Sequence, residues 1–261
     1  MGNRAVEYES ADRIGILTLN RPEQRNAMSP ELLDAFSEQI KVAQNDTEIR
    51  CLVITGKGRC FSAGADLRSS LQRDDLGKPS RETSYAMYEP FLQVLDLQVP
   101  VIAALNGHTV GGGFGLALLA DIRVANHDSK YGANFARLGI HSGLGISYVL
   151  PRLVGPAHAA ELLFSGSLIS GSEALRIGLV SHAVDAEDVL PVAFRIARSI
   201  AGSAPLAVQT MKASIRRGLG WQIREAALGE AGLQAESLNT EDAKEGISAI
   251  LQKREPEFTG K

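Results

Sequence analysis

The stretch His108-Thr-Val-Gly-Gly-Gly-Phe-Gly-Leu-Ala-Leu-Leu-Ala-Asp121 decides how this chain is read. Three consecutive glycines run into a block of leucine and alanine, which predicts a buried helix from about Gly112 to Ala120. Glycine lets the backbone turn sharply and lets a ligand approach its N–H groups. A helix that starts at Gly112 adds the positive end of its dipole. A second glycine-bounded strand-to-helix junction stands upstream, GKGRCFSAGADL at 56–67. One N–H from each junction can converge on a single oxygen and stabilise developing negative charge. The same glycines also fit a simpler role, tight turns that let helix and strand pack. Phosphate-loop patterns are not met: G-x-x-x-x-G-K-[ST] is absent, and Leu116 or Leu118 falls where G-x-G-x-x-G needs its third glycine.

Outward from the glycines, the first two thirds of the chain alternate strands, turns and helices. IGILTLN (14–20), IRCLVITGKG (49–58), VPVIAALNG (99–107) and DIRVAN (121–126) read as strands, and SKYGANF (129–135) as a further short one. SPELLDAFSEQIKVAQND is a helix with Ser29 as N-cap, Pro30 at the first helical position and Leu32, Phe36, Ile40 and Ala43 on one face. SGSEALRIGLV carries a Ser170-x-x-Glu173 capping box and stops at Gly178. After about Val184 no strand signal remains, and four helices follow, the last capped by Thr240. The architecture expected is α/β, with a core over 1–200 and a helical C-terminal region over 201–261 that packs on the core or on another copy of the chain.

The 261 residues carry 27 basic and 30 acidic side chains, a formal net charge of −3 with the signs interspersed. That balance argues against a nucleic-acid surface, which needs a basic excess. Cys51 and Cys60 give no disulfide framework, and no His/Cys/Asp cluster has metal-ligand spacing. The opening MGNRAVEYES is polar, and apolar runs such as VPVIAAL are too short for a membrane span, so a cytoplasmic protein without membrane insertion is expected.

The segments NRPEQRNAMS, GKGRCFSAGADL, VPVIAALNGHTVGGGFGLALLADIRVA and PEFTGK, in this order and spacing, resemble the crotonase superfamily of enoyl-CoA hydratases and isomerases over essentially the whole chain. The resemblance implies a spiral of ββα units followed by a helical region that builds homotrimers, often paired into hexamers. It implies an acyl-CoA or enoyl-CoA thioester as partner and no cofactor beyond the CoA moiety. By the same resemblance, the N–H groups of Ala65 and Gly112 form an oxyanion hole for the thioester carbonyl and its enolate. Ala63, Ala65, Asp66 and Leu67 line the CoA path, Arg25 lies near the CoA phosphates, and Phe258 and Lys261 reach a neighbouring subunit's CoA.

The pattern breaks at the acids. Hydratases of the superfamily carry two glutamates that hold a water and move a proton; those positions fall here at Gly115 and Phe135. General acid–base groups contribute about 10²–10⁴-fold each, so ordinary hydration is in doubt. Gly115 is expected to leave room for a bulkier acyl group, with Phe135 as an apolar wall. Other relatives place an aspartate at about Ser142 or Gly143, which makes His141, and after it Ser142, the nearest polar candidate for a base. Tyr85 and Tyr88, in a segment that covers the acyl pocket, read first as core and second as proton donors. His108, Asp66 and Asp121 read as turn, ion-pair and strand-anchoring residues. The expectation is an acyl-CoA enzyme working through an oxyanion-stabilised enolate. The rival is a non-catalytic acyl-CoA-binding protein that kept the cradle without the acids.

Overall fold

The computed structural model describes residues 4–66 and 79–261. Its frame is a six-stranded sheet of β1 (Val6–Ala11), β2 (Ile14–Leu19), β3 (Cys51–Gly56), β5 (Val101–Leu105), β7 (Ile122–Asn126) and β10 (His182–Val184), in that spatial order. Only β1 runs antiparallel; the other neighbours are parallel. A four-stranded sheet stands beside it, ordered β4 (Cys60–Ser62), β6 (His108–Val110), β8 (Lys130–Gly132) and β9 (Ile169–Ser170). The pairs β3–β4, β5–β6 and β7–β8 each leave one strand in each sheet, and repetition of this step makes the spiral.

The inner strands β3 and β5 are buried on both faces, as a parallel sheet covered on both sides requires. Leu17, Leu19, Leu52, Ile54, Val101, Ala103 and Leu105 enter the main core. The alternate residues Ile14, Cys51, Val53, Ile102, Ala104 and Val124 pack with Val189, Ala193, Ala197 and Ala201. The helices that cover these faces are α1 (Pro30–Asn45), α2 (Arg81–Leu92), α3 (Gly112–Leu119), α4 (Ile146–Ser165), α5 (Gly171–Arg176), α6 (Val189–Ala201), α7 (Pro205–Ile215), α8 (Leu219–Leu238) and α9 (Glu241–Gln252). In α1 the Ser29 hydroxyl accepts from the Leu32 N–H at 3.2 Å, and Leu32, Phe36, Ile40 and Ala43 are buried, as its sequence implies. Helix α8 lies along α2 and α4, and its Ile223, Ala227 and Ala231 join the main core.

Two local expectations need correction. SKYGANF is strand only over β8; its Asn134 begins a 3-10 turn, Asn134–Leu138, against which α9 packs. The Ser170 hydroxyl does accept from the Glu173 N–H at 3.1 Å, but the Glu173 carboxylate turns to Arg176 at 2.6 and 2.7 Å instead of closing a capping box. Among the described residues no helix is long and apolar enough to cross a membrane.

Candidate active site

The two glycine junctions meet backbone to backbone. Asn26, fully buried, ties the first one down: its Nδ2 donates to the Lys57 and Cys60 carbonyls at 3.1 and 2.9 Å, and its Oδ1 accepts from the Arg21 N–H at 2.8 Å. Arg25 and Asn26 both take left-handed backbone, φ +53° and +52°, which bends the chain so that the Arg25 carbonyl accepts from the Ala63 N–H at 3.0 Å. One residue on, Gly64 sits at φ +82°, where a Cβ would stand 2.7 Å from the Val110 oxygen and 3.2 Å from the Gly112 nitrogen. Only glycine permits both the dihedral and the approach. Gly113 is equally constrained, because a Cβ there would stand 2.7 Å from the Ser62 carbonyl oxygen.

This contact sets Ala65 beside Gly112. Ala65 forms an isolated parallel bridge with Met28, and the Gly64 carbonyl accepts from the Met28 N–H at 2.8 Å. Ladder bonds in a parallel pair go to the residues flanking the bridge partner, so the Ala65 N–H faces away from Met28. Gly112 is the first residue of α3, whose N-cap Gly111 supplies no side-chain cap. Among the described residues neither the Ala65 nor the Gly112 N–H has an acceptor. Arg25, Ala63, Ala65, Asp66 and Gly112 are thus gathered at one place. Leu67 lies outside the described residues.

Gly115 is one turn further along the same face of α3, and the space beside it is not open. Leu144 and Ile146 fill it: a Cβ on Gly115 would stand 3.2 and 3.3 Å from Leu144 Cβ and Cδ2 and 3.4 Å from Ile146 Cδ1. The expected room for a larger acyl group is therefore corrected, since an apolar plug stands in it. Leu144 is 2% exposed and holds φ +66°, a left-handed conformation that costs a residue with a Cβ about 1–2 kcal/mol. Phe135, 9% exposed, lies beside the glycine run, with its Cζ 3.9 Å from where a Gly111 Cβ would be.

The turn that carries Leu144 is fastened to α8. The Glu230 carboxylate, 4% exposed, accepts from the Gly145 N–H at 2.7 Å, the Ser147 N–H at 2.8 Å and the Ser147 hydroxyl. Burial raises the pKa of Glu230, opposed by these bonds and by His141. Gln234 donates to the His141 carbonyl at 2.9 Å and accepts from the Tyr88 hydroxyl at 2.5 Å; the Ser237 hydroxyl accepts from the His141 N–H at 2.9 Å. Tyr88 is thereby committed to the core, its pKa pushed up by burial and by the Glu230 charge. The half-buried His141 ring places Nδ1 2.7 Å from the Ser142 carbonyl oxygen. A carbonyl only accepts, so Nδ1 carries the proton and, in the neutral ring, Nε2 carries the lone pair.

Glu230, Gln234 and Ser237 escaped the sequence reading. Their signal is the spacing Ile223, Ala227, Glu230, Gln234, Ser237, alternating four and three, which puts an acid and an amide in line with the buried face of α8. Phe258 and Lys261 belong to the C-terminal tail. The Thr259 and Gly260 N–H groups donate to Asp242 at 2.7 and 2.8 Å, and the Lys261 carbonyl accepts from the Asp242 N–H at 3.1 Å, so the tail is pinned to the start of α9. His108 opens β6 and is not in the turn expected for it; its Nδ1 accepts from the Lys130 N–H at 3.0 Å. The Asp121 carboxylate accepts from the Val101 N–H at 2.7 Å, which anchors β5 rather than the strand that follows it.

Residues 9–261 match the family model described as enoyl-CoA hydratase/isomerase. The chain is 35% identical to the crotonyl-CoA hydratase of Syntrophomonas wolfei over the full length of both chains. It is 38% identical to the 2,3-dehydroadipyl-CoA hydratase of Escherichia coli, covering 95% of this chain and 96% of that one. The crystal structure of an enoyl-CoA hydratase/isomerase from Pseudoalteromonas atlantica superposes with a TM-score of 0.86 at 28% identity, covering 98% of this chain and all of that one.

Proposed function

The chain belongs to the enoyl-CoA hydratase/isomerase family, and from that premise we propose that it processes an acyl-CoA thioester through an enolate held by the Ala65 and Gly112 N–H groups. The observation that carries this reading is the contact of Gly64 on Gly112, which sets two N–H groups without acceptors side by side at the start of a helix. Such preorganised donors act where charge develops on the thioester oxygen, and removal of one typically costs about 10²–10³-fold in rate. The CoA moiety runs past Arg25, Ala63, Asp66 and Leu67, and no further cofactor takes part. His141 Nε2 is the base: it takes a Cα proton, the C–H electron pair becomes the bond between Cα and the thioester carbon as the carbonyl π pair moves onto oxygen, and the proton returns to carbon as the enolate collapses. Names of relatives, such as crotonyl-CoA and 2,3-dehydroadipyl-CoA hydratase, support an unsaturated acyl thioester as substrate. The exposed Leu206, Met211, Ile215 and Trp221 on α7 and α8 support assembly into homotrimers or hexamers, in which Phe258 and Lys261 meet a neighbour's CoA. The protein is taken to work in the cytoplasm.

Deuterium incorporation at Cα in heavy water, across saturated and unsaturated acyl-CoAs, tests this reading without presuming the net reaction. Exchange well above the protein-free rate, lost in His141→Ala, is the expected result. No exchange with an ester that demonstrably binds would overturn the enolate reading.

A further inference from the structure

We propose that Leu144, held in its left-handed turn by Glu230, is the residue that sets acyl specificity, by closing the space beside Gly115 against substituents on the carbons next to the thioester. The inference rests on the reading of Gly112 as a donor to the thioester oxygen. Gly115 follows Gly112 by three residues, so the two share a helix face about 5 Å apart along the axis. An acyl chain whose carbonyl oxygen meets the Gly112 N–H therefore passes its first carbons by Gly115. What it meets there is Leu144, whose Cβ and Cδ2 lie within 3.3 Å of where a Gly115 Cβ would be.

A leucine at φ +66° persists only where its surroundings over-determine it. Here they do so from both sides of the residue. The Gly145 and Ser147 N–H groups end on the buried Glu230 carboxylate, and the His141 N–H and carbonyl end on Ser237 and Gln234. Gly143 is pressed on Tyr88, leaving no slack for the turn to relax that way. Glycine at 115 and leucine at 144 are complementary: one gives up the side chain whose place the other takes. Closure is apolar, so it discriminates by bulk and not by hydrogen bonding.

Isothermal titration with butyryl-CoA and 3-methylbutyryl-CoA tests this, because the two esters differ by one methyl group at Cβ. The wild-type protein is expected to prefer butyryl-CoA by about tenfold, the lower end of what one methyl-sized difference gives in an apolar pocket. Leu144→Ala should erase that preference, Glu230→Ala should shift it the same way, and Gly115→Ala should sharpen it. Gly115→Ala adds a good helix former, though its methyl group needs Leu144 to give by a few tenths of an ångström, and it stands as a second readout beside Leu144→Ala. Binding of butyryl-CoA with a preference that none of the variants moves would overturn the inference alone. Binding of neither ester to the wild-type protein would overturn the site reading and the inference with it.

Discussion

At its first residue, α3 meets only glycine backbone and the side chain of Met28, whereas its last carbonyls meet a packed group of cations. The Leu119 carbonyl accepts from Arg216 at 2.7 Å and the Ala120 carbonyl from Arg123 at 2.8 Å. Asp121 balances this end, 2.6 Å from Arg216 and 3.0 Å from Lys212. Burial lowers the pKa of Arg123 to about 10, helped by the neighbouring Arg216 charge, and lowers that of Lys212 against the pull of Asp121. Every helix has orphan N–H groups at one end and orphan carbonyls at the other. One helix of eight residues here treats them in opposite ways. The end dressed with side chains serves the fold, and the stripped end has donors to spare for a ligand's oxygen.

The sharpest way to break that contrast is to remove one donor while keeping the helix. Gly112→Pro does so, because proline is tolerated at the first helical position and lacks only the N–H. Its ring meets the Met28 sulfur, the flexible end of that side chain, which can swing aside. Cα exchange should fall about 10²–10³-fold, while free CoA, bound along Arg25 and Ala63, keeps its affinity by calorimetry. A loss under tenfold would mean that the stripped end is not where the thioester oxygen sits.

The opposite variant attacks the dressed end. Asp121→Ala leaves Lys212, 9% exposed, and Arg216 without their carboxylate. Breaking a buried pair on one side should destabilise the protein by about 3 kcal/mol, read from the urea midpoint. Activity per folded molecule should hold within a factor of about two, since α3 keeps its first turn. If turnover instead collapses while stability holds, the two ends are not separable.

Sequence disclosed the stripped end far better than its surroundings. Glycines at 64 and 111 carry a positive φ, a local requirement that shows in local sequence, while Gly113 is required by the distant Ser62 carbonyl. The strands β2, β3, β5 and β7 were legible for the same reason: apolar β-branched runs bounded by turns. Helix α2 was not assigned, and it contains Pro90; α4 contains Pro151 and bends at Gly155, φ +79°, before Pro156. Tertiary packing overrides propensity in both. The plug beside Gly115 is not legible in the sequence, because leucine at position 144 gives no hint of a left-handed backbone. What imposes it, Glu230, lies 85 residues downstream of the Gly145 N–H it accepts from. Only the polar residues standing in line with Ile223 and Ala227 in α8 hinted that a buried network was there to be found.

A helix start that is not reserved for a ligand supplies the smallest test. The first turn of α9 is closed by its own chain: the Thr240 hydroxyl accepts from the Ala243 N–H at 3.1 Å, and the Lys261 carbonyl accepts from Asp242. The Asp242 carboxylate in turn accepts from Thr259 and Gly260, and these bonds, led by that from Thr259, lower its pKa from the ordinary 3.8. A carboxyl whose folded value is depressed stabilises the docked tail above its ordinary pKa and loses that contribution as pH falls through the lower docked value. Protection of the Thr259 and Gly260 amides, corrected for intrinsic exchange, should therefore be full at neutral pH and decline below about pH 4. Asp242→Asn should show a few-fold weaker protection at neutral pH and no such decline. If the variant keeps the wild-type pH profile, another group holds the tail. Slower Cα exchange in the same variant would support the reach of Phe258 and Lys261 to a neighbouring subunit's CoA, and unchanged exchange would count against it.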